Sequence, residues 1–296
     1  MASGEHYEPY EQLAPALLRS ELRGKVALVT GGGYGIGRSI AQSFAEAGVA
    51  RIILIGRTET KLKDTANDLS ASFQEIDVVT MVADITSKED VQHIFESCTK
   101  YAPDILINNA GYLSTPAEFL DADFDDYWNS FMVNVYGTML FTQSFLRHRK
   151  AYVEAAENSG NTPSPAVVVT VNSMGAFLSM PKFSSYCSNK LALARWTELL
   201  SIEIPEEFAR FVSVHPGAVD SSMGNKSGMI DQIKSGAAQL SLTNPKLTGD
   251  FIVWLTSRDA EFLNGRFVSV NTDIELLLSN KKEIIEKGMY SIRLSQ

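Results

Sequence analysis

Three residues of this chain have the types and spacing of an acid/base site: Ser173, Tyr186 and Lys190. Tyr186 and Lys190 stand four positions apart, so a helix over this segment places both side chains on one face, one turn apart. A tyrosine ionises near pH ~10, and a nearby ammonium favours the phenolate, which brings the pKa of the phenol toward the working range of a catalyst. The spacing therefore predicts a proton donor or acceptor, although Tyr and Lys are also common on helix surfaces.

Composition limits the classes of protein that carry such a site. The chain has 296 residues and is 45% hydrophobic, which is enough for a sizeable core. Its net charge of -9 argues against a broad nucleic-acid surface. Two cysteines and four scattered histidines are too few for a disulfide framework or a thiolate zinc site, so we predict no metal.

The sequence also carries no targeting signal that we can identify. It has no run of about 18 or more apolar residues, and residues 1–6 lack the basic and apolar regions of a signal peptide. We predict a cytoplasmic protein with no membrane span and no nucleic-acid partner, acting on a small molecule.

Buried-strand and helix patterns alternate along most of the chain. We expect strands at residues 26–29, 51–55, 78–82, 105–107, 167–171, 211–214 and 266–270. We expect helices at residues 38–47, 58–72, 87–100, 124–157, 186–204 and 248–256. This alternation requires right-handed crossovers and predicts an α/β fold: a single Rossmann-type doubly wound parallel sheet with helices on both faces.

The predicted domain covers residues 24–296, with no internal repeat and no linker. Residues 1–23 are polar and aromatic, with a short apolar piece broken by Pro15. They predict an N-terminal extension, or an arm that contacts a partner. At the other end, a charged C-terminal tail begins at Lys281 and is predicted either to close over a site or to meet another subunit.

A glycine-rich turn follows the first predicted strand and opens the first helix. Its glycines let the backbone approach a pyrophosphate, whose charge the helix N-terminus favours. Such a turn can be purely structural, but a second strand about 20 residues later favours dinucleotide binding. The predicted cofactor-binding residues here are Gly31, Gly33, Tyr34, Gly35, Ile36 and Gly37.

The end of the second strand predicts which dinucleotide binds. An acidic residue there would bind the 2′-OH of NAD, but this segment has no carboxylate. Gly56 leaves room for a 2′-phosphate, and Arg57, followed by Thr58, supplies the forked donors that suit it. Arg57 can also be only a solvated loop charge. We predict NADP(H) as the cofactor in preference to NAD(H).

In their order along the chain, these motifs resemble the short-chain dehydrogenase/reductase family, classical type. Residues 30–37 match its Thr-Gly-x-x-x-Gly-x-Gly motif, residues 108–111 its Asn-Asn-Ala-Gly motif, and residues 216–217 its Pro-Gly turn after the sixth strand. The resemblance spans about residues 24–272. The residues that match the family's catalytic tetrad are Asn134, Ser173, Tyr186 and Lys190.

The resemblance implies further contacts to the cofactor. Asp84 would accept from the adenine amino group, although an aspartate there can instead cap a turn. Near the nicotinamide the family usually has a threonine, where this chain offers Ser221 and Ser222, and either serine could act. The residues implied to bind the cofactor in this way are Asp84, Ile85, Asn109, Ala110, Gly111, Tyr186, Lys190, Pro216, Gly217, Val219 and Ser221.

The resemblance also implies a role for each member of the tetrad. Tyr186 would donate a proton to a carbonyl oxygen as NADPH delivers hydride to the carbon, or would accept the proton in the reverse direction. Lys190 would lower the phenol pKa and hydrogen-bond the nicotinamide ribose. Ser173 would stabilise the oxyanion, and Asn134 would hold a water that connects Lys190 to solvent. Taken singly, Ser173 could be a strand-end hydroxyl and Asn134 a satisfied polar group on a buried helix.

The substrate is predicted from the loop at about residues 220–247, which should be mobile. Its methionines could be core filler or could build an apolar pocket. The predicted pocket residues are Met174, Phe177, Leu178, Met180, Met223 and Met229. We predict a carbonyl reductase of secondary metabolism, acting on a bulky hydrophobic ketone or secondary alcohol.

Other functions and assemblies are compatible with the motifs. Family members also catalyse dehydration, epimerisation or cyclisation, and a non-catalytic NADP(H)-binding regulatory protein is a further alternative. The resemblance implies a homodimer or homotetramer that pairs through the long helices at residues 124–152 and 186–204.

Overall fold

The computed structural model describes residues 4–293, so residues 1–3 of the predicted extension and 294–296 of the predicted tail lie outside it. Seven strands form one sheet: β1 (Val26–Thr30), β2 (Arg51–Gly56), β3 (Asp77–Val82), β4 (Ile105–Asn108), β5 (Ala166–Val171), β6 (Ala209–His215) and β7 (Phe267–Ser269). All neighbours are parallel, in the order β3-β2-β1-β4-β5-β6-β7. The order reverses between β1 and β4, and ligands bind beyond the carboxyl ends of strands at such a point.

Helices cover both faces of the sheet. They are α1 (Arg19–Leu22), α2 (Gly35–Glu46), α3 (Glu59–Ser72), α4 (Lys88–Ser97), α5 (Phe124–Phe131), α6 (Thr138–Asn158), α7 (Ser184–Glu203), α8 (Ser222–Lys226), α9 (Met229–Lys234), α10 (Pro245–Leu255), α11 (Ile274–Ser279) and α12 (Lys281–Lys287). Successive strand residues enter opposite cores: Leu28 packs with α4 and α6, and Val29 packs with α2 and α10. The prediction of a doubly wound Rossmann-type fold is confirmed.

The predicted helix at residues 124–157 is not continuous. A π-helical turn, Met132–Gly137, separates α5 from α6. Sequence periodicity does not show this turn, because its residues are as apolar as the helices on either side. π-turns are often found at functional sites, and this one contains Asn134.

Other boundaries differ for local reasons. The helix predicted from residue 248 begins at Pro245, because the Asn244 side chain accepts a hydrogen bond from the Lys246 N–H at 2.9 Å and proline suits the first helical position. The helix predicted from residue 38 begins at Gly35, inside the glycine-rich turn. The predicted N-cap, Ser87, accepts from the Asp90 N–H at 3.1 Å.

Both ends of the described chain pack against its own domain. Leu13 and Leu22 of the N-terminal extension are each 2% exposed. The tail runs along the free edge of β7, where the Phe267 N–H donates to the Tyr290 carbonyl at 2.9 Å and so protects the sheet edge. Within residues 4–293, no helix is both long enough and apolar enough to cross a membrane.

Candidate active site

Ser173, Tyr186 and Lys190 come together where β5 ends and α7 begins. The Lys190 ammonium nitrogen lies 5.7 Å from the centre of the Tyr186 ring and donates to the Val171 carbonyl at 3.0 Å. The Ser173 hydroxyl accepts from the Gly175 N–H at 3.0 Å. A Cβ at Gly175 would lie 3.2 Å from Ser173 Oγ and 3.5 Å from Tyr186 Cε1, so this glycine permits the close approach of the serine and the phenol.

The protonation of this pair differs from the sequence-based expectation. Burial raises the pKa of Tyr186 to about 12, and a hydrogen bond with Ser173 acts in the opposite direction. Burial also lowers the pKa of Lys190 to about 8. The expected lowering of the phenol pKa by Lys190 is therefore not found here, because desolvation disfavours the charged form of both groups.

Asn134 holds a neighbouring loop through its side chain. Its Oδ1 accepts from the Tyr112 N–H at 2.8 Å, and its Nδ2 donates to the Tyr112 carbonyl at 2.7 Å and to Asn189 Oδ1 at 3.1 Å. The residue is 1% exposed. Its amide is thus the satisfied buried group that the sequence allowed as one alternative.

A crevice at the carboxyl ends of β1, β2 and β4 contains much of the predicted cofactor site. The predicted residues that line it are Gly31, Gly33, Tyr34, Arg57, Thr58, Asp84, Ile85, Ala110 and Gly111. Gly56, which the sequence predicts to leave room for a 2′-phosphate, also lines it, as do four residues that the sequence did not indicate: Lys61, Leu62, Ala83 and Val133.

The glycine-rich turn has the close packing that a dinucleotide cradle needs. Gly31 has a φ of 66°, which favours glycine. A Cβ at Gly37 would lie 2.1 Å from the Gly31 carbonyl oxygen, so only glycine lets α2 approach the turn this closely. Asn109 donates to the carbonyls of Thr30 at 3.0 Å and Gly31 at 3.2 Å. It shapes the turn beside the crevice that Ala110 and Gly111 line, and its contact with the cofactor ribose stays a prediction.

Two cations stand at the β2 end of the crevice. Arg57 Nη1 lies 3.8 Å from Asp84 Oδ2, and the Lys61 ammonium lies 4.1 Å from the centre of the Tyr34 ring. Lys61 was missed by the sequence analysis, although its place in the first turn of the helix after β2 is a signal that could have found it. The Asp84 Oδ1 accepts from Thr86 N–H at 2.8 Å, so Asp84 caps a turn and also lines the crevice.

A second, larger cavity of about 520 Å³ adjoins the crevice. A Cβ at Gly111, in the crevice, would lie 3.5 Å from the methyl of Met223, in the cavity. The predicted residues that line this cavity are Ile36, Ser173, Met174, Leu178, Met180, Tyr186, Pro216, Gly217, Val219, Ser221, Met223 and Met229. Its volume is in the range of small-molecule sites.

One residue of the predicted wall, Phe177, lies outside the cavity, and the structure adds detail at the two serines and in the loop. Ser221 lines it while Ser222 does not, although the Ser221 hydroxyl also accepts from the Gly224 N–H at 3.1 Å. Phe177 packs edge-on against Phe267, with ring centres 4.7 Å apart, and does not line the cavity. The predicted loop contains two short helices, α8 and α9.

His215 is a cavity residue that the sequence analysis passed over. Burial lowers its pKa to about 4, so the imidazole is neutral at physiological pH. Its Nδ1 accepts from the Met174 N–H at 3.2 Å, which assigns the ring proton to Nε2. Across residues 4–293, no three His, Cys, Asp or Glu residues cluster as metal ligands.

The parallel sheet, its reversal point and the glycine-rich turn define a nucleotide-binding α/β protein. The model of the family "short chain dehydrogenase" matches residues 25–230. The short chain dehydrogenase andI of Emericella variicolor is 29% identical over 95% of this chain and 92% of its own length. The NADP-dependent 3-hydroxy acid dehydrogenase of Schizosaccharomyces pombe is 30% identical over 68% of this chain and 74% of its own.

A solved structure agrees with these relatives. The 3-ketoacyl-(acyl-carrier-protein) reductase of Brucella melitensis, complexed with NADH, is 26% identical, has a TM-score of 0.72, and matches 84% of this chain and 98% of its own. This chain belongs to the short-chain dehydrogenase family of oxidoreductases.

Proposed function

We propose that this chain interconverts a carbonyl and a secondary alcohol with NADP(H), and that Tyr186 is the proton donor and acceptor. The observation that carries the proposal is the meeting of two sites: Ser173 and Tyr186 line the larger cavity, which adjoins the dinucleotide crevice at Gly111 and Met223. When bound, the cofactor supplies or removes a hydride. A carbonyl in the cavity would then take its proton from the phenol.

The protonation states fit the reducing direction. With a pKa of about 12, Tyr186 holds its proton at physiological pH and is a donor. Below pH 8, Lys190 carries a charge that would stabilise the phenolate left behind. The Ser173 hydroxyl would stabilise the developing oxyanion. Asn134, whose side-chain amide also bonds to Tyr112, would hold the relay water that connects Lys190 to solvent.

The cofactor preference rests on residues of the crevice. Arg57 and Lys61 flank the position where a 2′-phosphate would lie, and Gly56 supplies no carboxylate to compete with it. The relatives differ on this point, since one is NADP-dependent and another is complexed with NADH. We therefore propose NADP(H) from Arg57 and Lys61 rather than from similarity.

The substrate class follows from the cavity wall. Met174, Leu178, Met180, Met223 and Met229 give it an adaptable apolar lining. We propose a bulky hydrophobic ketone or secondary alcohol, of the kind found in secondary metabolism. A cytoplasmic location, a homodimer or homotetramer, and the division into residues 1–23 and 24–296 remain predictions from the sequence.

The test is Tyr186→Phe, which removes the proton and preserves the ring. We expect turnover of a carbonyl panel, followed by NADPH absorbance, to fall by at least about a hundredfold, because acid–base catalysis contributes roughly that factor or more. The NADPH dissociation constant should stay close to that of the wild type. Unchanged turnover would remove Tyr186 from the acid role.

A further inference from the structure

An amino-terminal arm, residues 4–10, borders the substrate cavity and is attached at two places. The His6 N–H donates to the Asn271 carbonyl at 2.8 Å, and the Asn271 side-chain amide donates back to the His6 carbonyl at 2.8 Å. Farther along, the Asn244 N–H donates to the Tyr7 carbonyl at 2.8 Å. The arm thus contacts both the segment after β7 and the segment before α10, which are themselves joined by a hydrogen bond from the Asn271 amide to the Thr243 hydroxyl at 3.0 Å.

Two side chains of the arm reinforce this attachment. His6 Nε2 lies 2.6 Å from Asp273 Oδ2, and Glu8 accepts from the Asn244 amide at 2.7 Å. Burial acts to raise the pKa of Asp273, but hydrogen bonds from His6 and from two backbone N–H groups outweigh it and the pKa is lowered. The Asp273 carboxylate therefore stays charged at neutral pH and keeps its hydrogen bond with His6 of the arm.

The side chains of Glu5 and Tyr7, which alternate along the arm with those of His6 and Glu8, line the cavity. The Tyr7 hydroxyl donates to Glu5 Oε2 at 2.9 Å. This hydrogen bond, together with burial, raises the pKa of Tyr7, so the phenol remains a donor and orients the carboxylate. In the described part of the chain, Glu5 Oε1 receives no hydrogen bond, which leaves an acceptor for a ligand.

Glu5 also sets the charge of the cavity. Among the described residues that line it there is no Lys, Arg or Asp, and His215 is neutral because burial lowers its pKa to about 4. A single carboxylate on a wall with no other charged side chain attracts hydrogen-bond donors and cations, and it repels anions. Through Glu5, the arm therefore places the one negative charge on the described cavity wall.

We propose that Glu5, oriented by Tyr7, is a specificity group that binds a hydroxyl or ammonium donor on the part of the substrate remote from the carbonyl and rejects carboxylates. This inference rests on the proposed function for the position of the reacting carbonyl. It adds a substrate class: a hydrophobic ketone or alcohol with a second, donor-bearing end.

The experiment compares benzylacetone with its para-hydroxy and para-carboxy derivatives, which differ only at the remote end. Dissociation constants are measured by calorimetry on the full chain with NADP⁺ present, so the readout does not require turnover. The wild type should bind the para-hydroxy ketone about threefold to tenfold more tightly than benzylacetone. This gain in affinity is what a hydrogen bond to a carboxylate contributes when solvent and salt screen an exposed charge. The para-carboxy ketone should bind more weakly than benzylacetone.

Two variants and one control test whether these differences in ketone affinity depend on Glu5 and Tyr7. Glu5→Gln should abolish the penalty for the carboxylate and reduce the preference for the hydroxyl, and Tyr7→Phe should reduce the preference by a smaller factor. Glu11→Gln removes the same charge from an exposed residue that does not line the cavity, and should behave as wild type. NADP⁺ binding should be equal in all variants, because no arm residue lines the crevice.

Two outcomes overturn the proposal: ratios of the three dissociation constants in Glu5→Gln that equal those of the wild type, or no binding of any of the three ketones. Its failure is separable from failure of the proposed function. If the ligand order depends on Glu5 but no ketone is reduced, the arm assignment holds and the oxidoreductase assignment falls.

Discussion

Among single residues, Lys190 should control how activity depends on pH. Tyr186 keeps its proton up to about pH 12, whereas Lys190 loses its charge as the pH rises through about 8. Carbonyl reduction needs both, because the cation stabilises the phenolate formed when the proton leaves. We expect kcat/KM for reduction to fall as the pH rises through about 8. A profile that stays level through this range would contradict the role given to Lys190.

A second prediction for single residues concerns cofactor choice, which we propose depends on Arg57 and Lys61. We expect Arg57→Ala and Lys61→Ala each to raise the NADPH dissociation constant about threefold to tenfold. This is the lower part of the range for charged hydrogen bonds, since the Arg57 side chain is 67% exposed and solvent screens its charge. NADH binding should change little. Lys63→Ala, on the same helix and paired with Glu59, is the matched control. Equal losses for NADH and NADPH would argue against a 2′-phosphate site.

Residue types and spacing predicted the Tyr186, Ser173 and Lys190 group, because helical periodicity brings positions four apart together. They did not predict its protonation. A pKa depends on burial by elements distant in sequence, and desolvation here acts on both Tyr186 and Lys190. The hydrogen bonds from the Asn109 amide to the carbonyls of Thr30 and Gly31 were also not predicted, because they join residues distant in sequence.

Secondary-structure elements place the cofactor turn, and Gly37 is where that placement is most constrained. The Cβ of Gly37→Ala would lie 2.1 Å from the Gly31 carbonyl, so the turn or α2 must move. We expect a loss of about 1–3 kcal/mol in the free energy of unfolding, as for other overpacked sites, together with weaker NADPH binding.

Gly56→Ala is the control for stability, since its Cβ would meet nothing closer than the Leu62 side chain at 3.5 Å. Its free energy of unfolding, measured in urea, should lie within about 0.5 kcal/mol of that of the wild type. If Gly37→Ala had the same free energy of unfolding and the same NADPH dissociation constant as the wild type, the close packing of the turn against α2 would not be needed for stability or cofactor binding.

Continuous apolar runs predicted the strands, because both faces of a parallel sheet are buried. The amphipathic segments between these runs predicted most helices. The π-turn at Met132–Gly137 left none, since hydrogen-bond register does not depend on hydrophobic pattern. Boundaries set by caps, such as Asn244 before α10, were displaced by a few residues.

In the whole molecule, the fold brings together two ligand sites and both chain ends. The sequence predicted the doubly wound sheet, an N-terminal extension or partner-contacting arm, and a tail that closes over a site or meets another subunit. Contacts between Asn271 and His6 join segments 265 positions apart, and local patterns cannot predict such pairings. The tail instead protects the β7 edge, through the Phe267 to Tyr290 hydrogen bond.

The central claim is that the two adjoining sites pass a hydride from NADPH to a carbonyl carbon while Tyr186 supplies the proton. The most direct test supplies NADPH deuterated at the transferable position with a ketone that the protein converts, and locates the label in the product. We expect deuterium on the carbinol carbon, with one NADPH oxidised for each alcohol formed. Conversion without label transfer, or without net NADPH oxidation, would contradict it and indicate non-redox chemistry.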